Sequence, residues 1–308
     1  MAPDQARPAV AALDCGTNST RLLVVSAGRS LERLMRITRL GQGVDASGRL
    51  DPAAVARTLE VLAEYRRRMD AHHVERARLV ATSAVRDARD GEEFLALASA
   101  TVGVGAELLD GEAEGALAFA GATAGLGLDP SRAVVVDIGG GSTELVVGGR
   151  ETRVVSLPLG CVRLTERFLA HDPPTPDELA SAAHYVREQL EAAVARLPEL
   201  AEGGRTLIGL AGTVSTLGAL ARGLAHDDRD RIHRTRLSAA EVASWCDRLA
   251  AEPSDRRARL PGLAPGREDV IVGGVLVLRE VMERFGFEAC TVSEADLLDG
   301  LAATLEAA

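Results

Sequence analysis

Short apolar runs recur along this chain, and most of them stop at glycine, serine or threonine. A short continuous apolar run bounded by turn residues reads as a buried strand, whereas apolar positions three and four apart read as one face of a helix. By that rule residues 8–14 and 20–26 form a hairpin, and 31–40 add a third strand. Asp51 and Pro52 then open a helix through residue 71, the aspartate as N-cap and the proline in the first turn. Val55, Leu59, Leu62 and Met69 lie along its apolar stripe. Strands over 78–81 and 106–109 flank a helix over 91–102, and another helix covers 110–123. The second half repeats the alternation. Strands fall at 133–136, 144–148, 152–157 and 207–210, and helices at 161–170 and 176–196, with a third ending near 223. A helix capped by residues 265–269 runs to 284, a last strand ends at Ser293 and Glu294, and a final helix starts near 295. Strands alternating with helices predict an α/β protein.

One stretch organises the rest: Val136-Asp137-Ile138-Gly139-Gly140-Gly141-Ser142-Thr143-Glu144. It reads as strand, glycine turn, strand. Glycines let backbone approach an anion closely, and successive turn N–H groups form an anion-binding nest. Asp137 stands where a carboxylate can hold a metal ion or its water. A dinucleotide-binding loop would need a helix after the glycines and the spacing G-x-G-x-x-G; here a β-branched apolar run follows. A two-residue hairpin turn rarely needs three glycines and a serine.

The stretch has a copy. Asp14, Gly16, Ser19, Thr20 and Leu22 match Asp137, Gly139, Ser142, Thr143 and Leu145 at a constant offset. Two copies in register predict two related domains facing each other across a cleft. Each would present an aspartate and a phosphate-cradling turn, Gly16, Thr17, Asn18 and Ser19 in one, Gly139, Gly140, Gly141 and Ser142 in the other. The copies differ where Arg21 in the first becomes Glu144 in the second. Gly125-Leu126-Gly127-Leu128-Asp129-Pro130 marks the linker, which gives an N-terminal domain over 1–127 and a C-terminal domain over 128–308. The helix over about 295–308 is expected to pack back on the first domain.

Bulk composition narrows the chemistry. A chain of 308 residues suits two domains, and 46% hydrophobic with 26% charged residues is globular. Aromatic residues make up only 3% and the net charge is −10, which argues against nucleic acid as a partner. Any phosphate site must then be a local positive patch. The chain has no lysine, so all 35 basic residues are arginine. That excludes a Walker A lysine, a Schiff-base lysine and a lysine general base. Cys15, Cys161, Cys246 and Cys290 are widely spaced with no C-x-x-C, which suggests neither zinc nor disulfides and fits a reducing cytosol. No uncharged run reaches the roughly 18–20 residues of a membrane span, and no membrane partner is expected.

Other candidates keep two readings each. Ser83 and Arg86 follow a strand end; they suit a phosphate, or are a helix cap and a surface residue. Glu112 and Glu114 lie two apart and so do not share a helix face. One can point into a cleft while the other favours the helix N-terminus, or both are plain first-turn acids. Gly212 and Thr213 suit a nucleotide or a further phosphate, or allow close strand–helix packing. The clusters Arg229, Arg231, Arg234, Arg236 and Arg256, Arg257, Arg259 are solvated faces or contacts to a long polyanion.

Taken together, these stretches resemble the exopolyphosphatase / guanosine pentaphosphate phosphohydrolase (Ppx/GppA) family. That family belongs to the sugar kinase–actin–heat-shock chaperone superfamily. The resemblance rests on Asp14-Cys15-Gly16-Thr17-Asn18-Ser19, Ala81-Thr82-Ser83-Ala84-Val85-Arg86-Asp87-Ala88, Gly111-Glu112-Ala113-Glu114, the stretch from Asp137 to Glu144, Pro158-Leu159-Gly160-Cys161-Val162-Arg163, Gly212-Thr213-Val214-Ser215-Thr216, Gly266-Arg267 and Ser293-Glu294. They span nearly the whole chain in the family's order. Thr17 stands where the family often has serine, and Glu112-Ala113-Glu114 replaces a run of adjacent acids. The length matches the short, two-domain members.

The resemblance implies two duplicated ribonuclease H-like domains flanking a cleft, and hydrolysis of a terminal phosphoanhydride. The substrate would be inorganic polyphosphate, releasing orthophosphate, or the 5′-γ-phosphate of guanosine pentaphosphate, a stringent-response nucleotide. It maps the catalytic base to Glu114, with Arg86 neutralising charge. Asp137 and Glu144, with Asp14 nearby, would place Mg²⁺ or Mn²⁺. The two glycine turns, with Gly212 and Thr213, would bind phosphates. A cytoplasmic homodimer is the expected assembly. Two rivals remain: an ATP-dependent kinase of the same superfamily, and a non-catalytic regulator that binds polyphosphate or guanosine alarmones.

Overall fold

Each half of the chain builds one sheet around one copy of the repeated hairpin. The computed structural model describes residues 8–225 and 228–308. Residues 1–7, counted above in the N-terminal domain, and 226–227 lie outside the described residues. The first sheet contains β1 (Ala9–Cys15), β2 (Ser19–Ser26), β3 (Arg29–Ile37), β4 (Val74–Ala81) and β5 (Ala106–Leu108) in the order β3-β2-β1-β4-β5. β2 runs antiparallel to β1 and β3, while β4 lies parallel to β1 and β5 parallel to β4.

The second sheet contains β6 (Ala133–Ile138), β7 (Thr143–Val147), β8 (Arg153–Leu157), β9 (Thr206–Leu210), β10 (Arg236–Ser238) and β11 (Ala289–Val292). Its order from one edge is β8-β7-β6-β9-β11, with β10 added antiparallel to β11 at the other. Strand order and strand sense repeat the first sheet. The fold is α/β, with the ribonuclease H-like arrangement present twice.

The central strands explain why continuous apolar runs mark them. Every residue of β1 and of β6 is buried. Helices covering both faces of a sheet leave no solvent side to alternate with. Among the described residues, each sheet has a large core of its own. One gathers Leu13, Leu22, Leu62, Tyr65, Leu79 and Phe94; the other gathers Val136, Leu145, Leu190, Leu217, Leu276 and Val292.

The chain divides into two compact units, Met1–Gly121 with Leu297–Ala308, and Ala122–Asp296. The division falls inside the helix Gly111–Ala124, ahead of the glycine-rich stretch that begins at Gly125. The helix Leu297–Ala307 packs on β1, β2 and β4 and buries Leu297, Leu298, Leu301 and Ala302. Its Gly300 passes so close to the Leu117 carbonyl that a Cβ there would lie 2.1 Å from the oxygen.

Several elements differ from expectation for identifiable reasons. The helix Pro52–Ala71 is capped by Asp51, which accepts from the Ala54 amide at 2.9 Å. Its buried stripe is Ala54, Thr58, Leu62, Tyr65 and Met69, so Val55 and Leu59 sit only on its margin. β3 stops at Ile37, because the Thr38 and Arg39 amides turn away to the Asn18 carbonyl. The helix expected from 265 begins at Ile271 and ends at Phe285. Before it, Gly266 has φ +84° and its amide donates to the Glu268 carboxylate, which makes a turn of that segment. The helix Ala239–Ala251 and strand β10 were not expected. Among the described residues, no helix is long and apolar enough to cross a membrane.

Candidate active site

The two hairpin turns are built alike down to their hydrogen bonds. Gly16 N donates to Ser19 O at 3.0 Å, and Gly139 N donates to Ser142 O at 3.0 Å. In the first turn the Asn18 carbonyl accepts from the Thr38 and Arg39 amides at 3.1 and 3.0 Å, and the Thr17 carbonyl accepts from Gly41 at 2.8 Å. In the second, the Gly139 carbonyl accepts from Cys161 at 2.9 Å, and Gly140 from Val162 and Arg163 at 2.9 and 3.1 Å. A turn whose carbonyls are held by neighbouring backbone has its N–H groups left to offer an anion.

A glycine supports each turn. A Cβ on Gly160 would lie 2.2 Å from the Gly140 carbonyl oxygen, and one on Gly41 would lie 2.3 Å from Thr17 Cγ2. Each glycine follows a fully buried leucine, Leu159 and Leu40. The duplication therefore extends to a Leu-Gly pair behind each turn. Sequence comparison passed over this pair because the two links to it differ in length.

The hairpins diverge in charge. Asp14 faces Arg21 across β1 and β2, and Asp137 faces Glu144 across β6 and β7. Arg21 binds Asp14 Oδ2 through Nε at 2.9 Å and Nη2 at 2.7 Å. Glu144 is buried, and its Oε1 accepts from Ser156 Oγ at 2.7 Å. Directly opposed residues of an antiparallel pair share a face, and like charges there repel. Two carboxylates in this position suit a cation. Their oxygens fit a hard ion such as Mg²⁺, which takes one or two carboxylates and keeps several waters. Among the described residues, no group of three or more His, Cys, Asp or Glu side chains is arranged to hold a metal ion. Asp14, expected near such an ion, is held by Arg21.

Arg86 and Glu114 come together within the first unit. Asp110 starts the helix Gly111–Ala124, its carboxylate accepting from Ala113 N at 2.8 Å and its carbonyl from Glu114 N at 3.0 Å. Arg86 Nη1 donates to the Leu109 carbonyl at 2.8 Å and lies 3.6 Å from Glu114 Oε2. Glu112 is exposed. The two acids thus take different faces, as spacing requires, and Glu114 is the one beside the arginine. Ser83 is buried beside Asp87, with 3.5 Å between Oγ and Oδ2.

Gly212 and Thr213 open the helix Ala211–Ala221 at the end of β9. The Arg267 guanidinium lies against Gly212, where a Cβ would come within 1.7 Å of it. Thr213 is buried against Gly274. The loop carrying Arg267 is braced by buried Arg257, whose Nε donates to the Glu268 carbonyl at 2.7 Å. Arg267 is the site residue that sequence reading left without a role; the Gly266-Arg267 pair was its only signal.

Arg257 also donates to Asp172 and to the Leu249 and Glu252 carbonyls, Arg229 pairs with Glu294, and Arg234 donates to the Gly125 carbonyl. These three serve the second unit's own structure, so neither arginine cluster is as a whole a solvated face or a polyanion contact. Arg231, Arg236, Arg256 and Arg259 are exposed.

The cysteines near the turns are buried, which disfavours the thiolate. Burial pushes the Cys15 thiol far up, and the Asp14 charge adds to this. Burial raises Cys161 to about 11, with Arg267 pulling the other way. Reactive cysteines need the opposite shift.

The Ppx/GppA phosphatase family matches residues 24–307 of this chain. Exopolyphosphatase 2 of Mycobacterium tuberculosis is 47% identical, over 96% of this chain and 98% of its own. The crystal structure of the Aquifex aeolicus Ppx/GppA family member is 33% identical with a TM-score of 0.80, covering 97% of each chain. That of an exopolyphosphatase from Cytophaga hutchinsonii is 25% identical with a TM-score of 0.86, covering 97% of this chain and 98% of its own.

Proposed function

Since the chain belongs to the Ppx/GppA phosphatase family, we propose that it is an exopolyphosphatase, cleaving the terminal phosphoanhydride of inorganic polyphosphate. The observation that carries this reading is the likeness, over nearly the whole length of both chains, to a mycobacterial exopolyphosphatase. The site residues supply what phosphoryl transfer needs, which is mostly positioning and charge neutralisation.

Backbone N–H groups of the 16–19 and 139–142 turns hold phosphate oxygens. Glu114 accepts a proton from water as the water oxygen attacks the terminal phosphorus. The bridging P–O bond breaks, orthophosphate leaves, and the chain shortened by one phosphate departs as an anion. Arg86, fixed through the Leu109 carbonyl, offsets charge on the transferred group. Asp137 and Glu144 are the residues to hold Mg²⁺, or Mn²⁺, which when bound supplies further neutralisation of phosphate oxygens. Gly212, Thr213 and Arg267 hold further phosphates. The terminal phosphate of guanosine pentaphosphate presents the same bond and is a second substrate on this reading.

The test is orthophosphate release from short polyphosphate, long polyphosphate and guanosine pentaphosphate with Mg²⁺, for wild type and Glu114→Ala. Turnover of polyphosphate by wild type and a loss of about 10² or more in the variant are expected. No release from any substrate sinks the hydrolase reading and turns attention to ATP-dependent transfer or binding alone. Activity that survives in Glu114→Ala moves the base to Glu112.

A further inference from the structure

In the first sheet β2 lies between β1 and β3, and in the second β7 lies between β6 and β8. The rows of directly opposed residues are Asp14, Arg21 and Met35 in one, and Asp137, Glu144 and Ser156 in the other. Each row lies on one face of its sheet. The aspartate is common to both rows, and the other two positions change together. Where Arg21 bonds back to Asp14, the third strand carries a methionine, which has no hydrogen to donate. Where Glu144 stands, the third strand carries a serine, and its Oγ donates to Glu144 Oε1 at 2.7 Å.

Ser156 is itself held in register. Val155 and Leu157 on either side of it are buried, and successive residues of a strand point to opposite faces. A slip of one residue would therefore carry the hydroxyl away from Glu144 and two apolar side chains out of the core. The chain continues to Leu159, whose carbonyl accepts from Thr143 Oγ1 at 2.8 Å, and to Gly160, which lies against the Gly140 carbonyl. Residues 156–160 thus meet the second hairpin at three places: the turn, Thr143 and Glu144.

A glutamate side chain has three rotatable bonds, and fixing them beforehand spares that cost when the carboxylate meets a ligand. Carboxylates that ligate metal ions are commonly hydrogen-bonded by a partner that sets their direction. We propose that Ser156 is a positioning residue, which fixes the Glu144 carboxylate for the divalent cation assigned to Asp137 and Glu144.

Ser156 acts through the role given to Glu144 under "Proposed function", so the test separates the two. Wild type, Ser156→Ala, Ser156→Thr, Glu144→Gln and the double variant of Ser156→Ala with Glu144→Gln are compared on tripolyphosphate. The readouts are kcat, KM, the Mg²⁺ concentration for half-maximal rate, and the thermal midpoint without metal. Ser156→Ala is expected to raise the Mg²⁺ requirement about tenfold, with KM at saturating Mg²⁺ within about twofold. Ser156→Thr keeps the hydroxyl and should stay within about threefold of wild type. On the Glu144→Gln background, Ser156→Ala should change the Mg²⁺ requirement by no more than about twofold, because nothing is left for the serine to act through. Calorimetric titration of Mg²⁺ into the substrate-free proteins should show the same weakening in Ser156→Ala without turnover. A lowered midpoint with an unchanged Mg²⁺ requirement in Ser156→Ala overturns the proposal, since the bond would then serve only the burial of the carboxylate. An equal loss in Ser156→Thr overturns it too, as does a full Ser156→Ala effect on the Glu144→Gln background. If wild type itself releases no phosphate, the hydrolase reading fails, and the calorimetry decides Ser156 alone. About tenfold weaker Mg²⁺ binding in Ser156→Ala, with Ser156→Thr like wild type, supports it. Equal binding, or no binding by wild type, overturns it.

Discussion

The hairpin of β1 and β2 and the hairpin of β6 and β7 share strand sense, turn length, the closing hydrogen bond and the buried Leu-Gly pair behind the turn. They differ at one cross-strand position. Arg21 pairs with Asp14 in the first, whereas a second acid, Glu144, stands opposite Asp137 in the second. One backbone design therefore serves two electrostatic purposes. The first hairpin carries an arginine–aspartate pair, and the second sets two acids opposite each other. On the proposed reading both turns hold phosphate, and this one position adds a metal-binding acid to the second.

The largest effects should come from the two acids proposed above for proton transfer and for metal binding. Glu114→Gln and Glu144→Gln are each expected to lower kcat by about 10² or more. They should part on titration with Mg²⁺. Raised Mg²⁺ restores part of the Glu144→Gln loss and none of the Glu114→Gln loss, as read by orthophosphate release. Identical Mg²⁺ curves would remove the metal role from the second hairpin.

Next in size is the ion pair of the first hairpin. Arg21→Met leaves the buried Asp14 carboxylate without its guanidinium and should cost about 3 kcal/mol in urea unfolding. Asp14→Asn in the same chain should restore most of that, giving a large coupling in the double-mutant cycle. Additive losses would show that the pair contributes little.

The supporting glycines give a smaller contrast. Gly160→Ala drives a methyl into the Gly140–Gly141 peptide, whereas Gly41→Ala meets the Thr17 and Ala84 side chains. Overpacking costs about 1–3 kcal/mol, and the backbone clash should sit at the upper end. Thermal midpoints that fall more for Gly41→Ala would reverse the order. The smallest effect separates the strand-end turns of β4 and β9. Thr82 has an ordinary φ of −126° while Ala211 has φ +64°. Ala211→Gly should stabilise by about 1 kcal/mol; a lower unfolding midpoint would mean that the alanine methyl packs usefully.

Much of this was legible because it depends on local pattern. The matched aspartates, glycines and serines fix the strand register, and Asp51-Pro52 and Thr175-Pro176 mark their helices, the latter with a capping box to Glu178. The box from Ser238 to Glu241 was equally readable and announces the helix Ala239–Ala251, which sequence reading passed over. What could not be read depends on contacts distant along the chain. Nothing near Arg257 distinguishes a buried arginine joining Asp172 to Glu268 from its exposed neighbours Arg256 and Arg259. Arg267 gains meaning only because Gly212 lies beneath it. The segment at 265–270 misled because proline and glycine signal a helix start, while the Glu268 side chain spends itself on the Gly266 amide.

The helix Leu297–Ala307 has a consequence for how the molecule is made. It covers β1, β2 and β4, strands that leave the ribosome long before it does. Domains usually fold in order of synthesis. Here the first unit must wait, with that apolar sheet surface uncovered, until all of the second has been translated. Completion of the earlier unit is thereby a signal that the later one exists, and a nascent chain cut short anywhere in the second unit cannot finish the first.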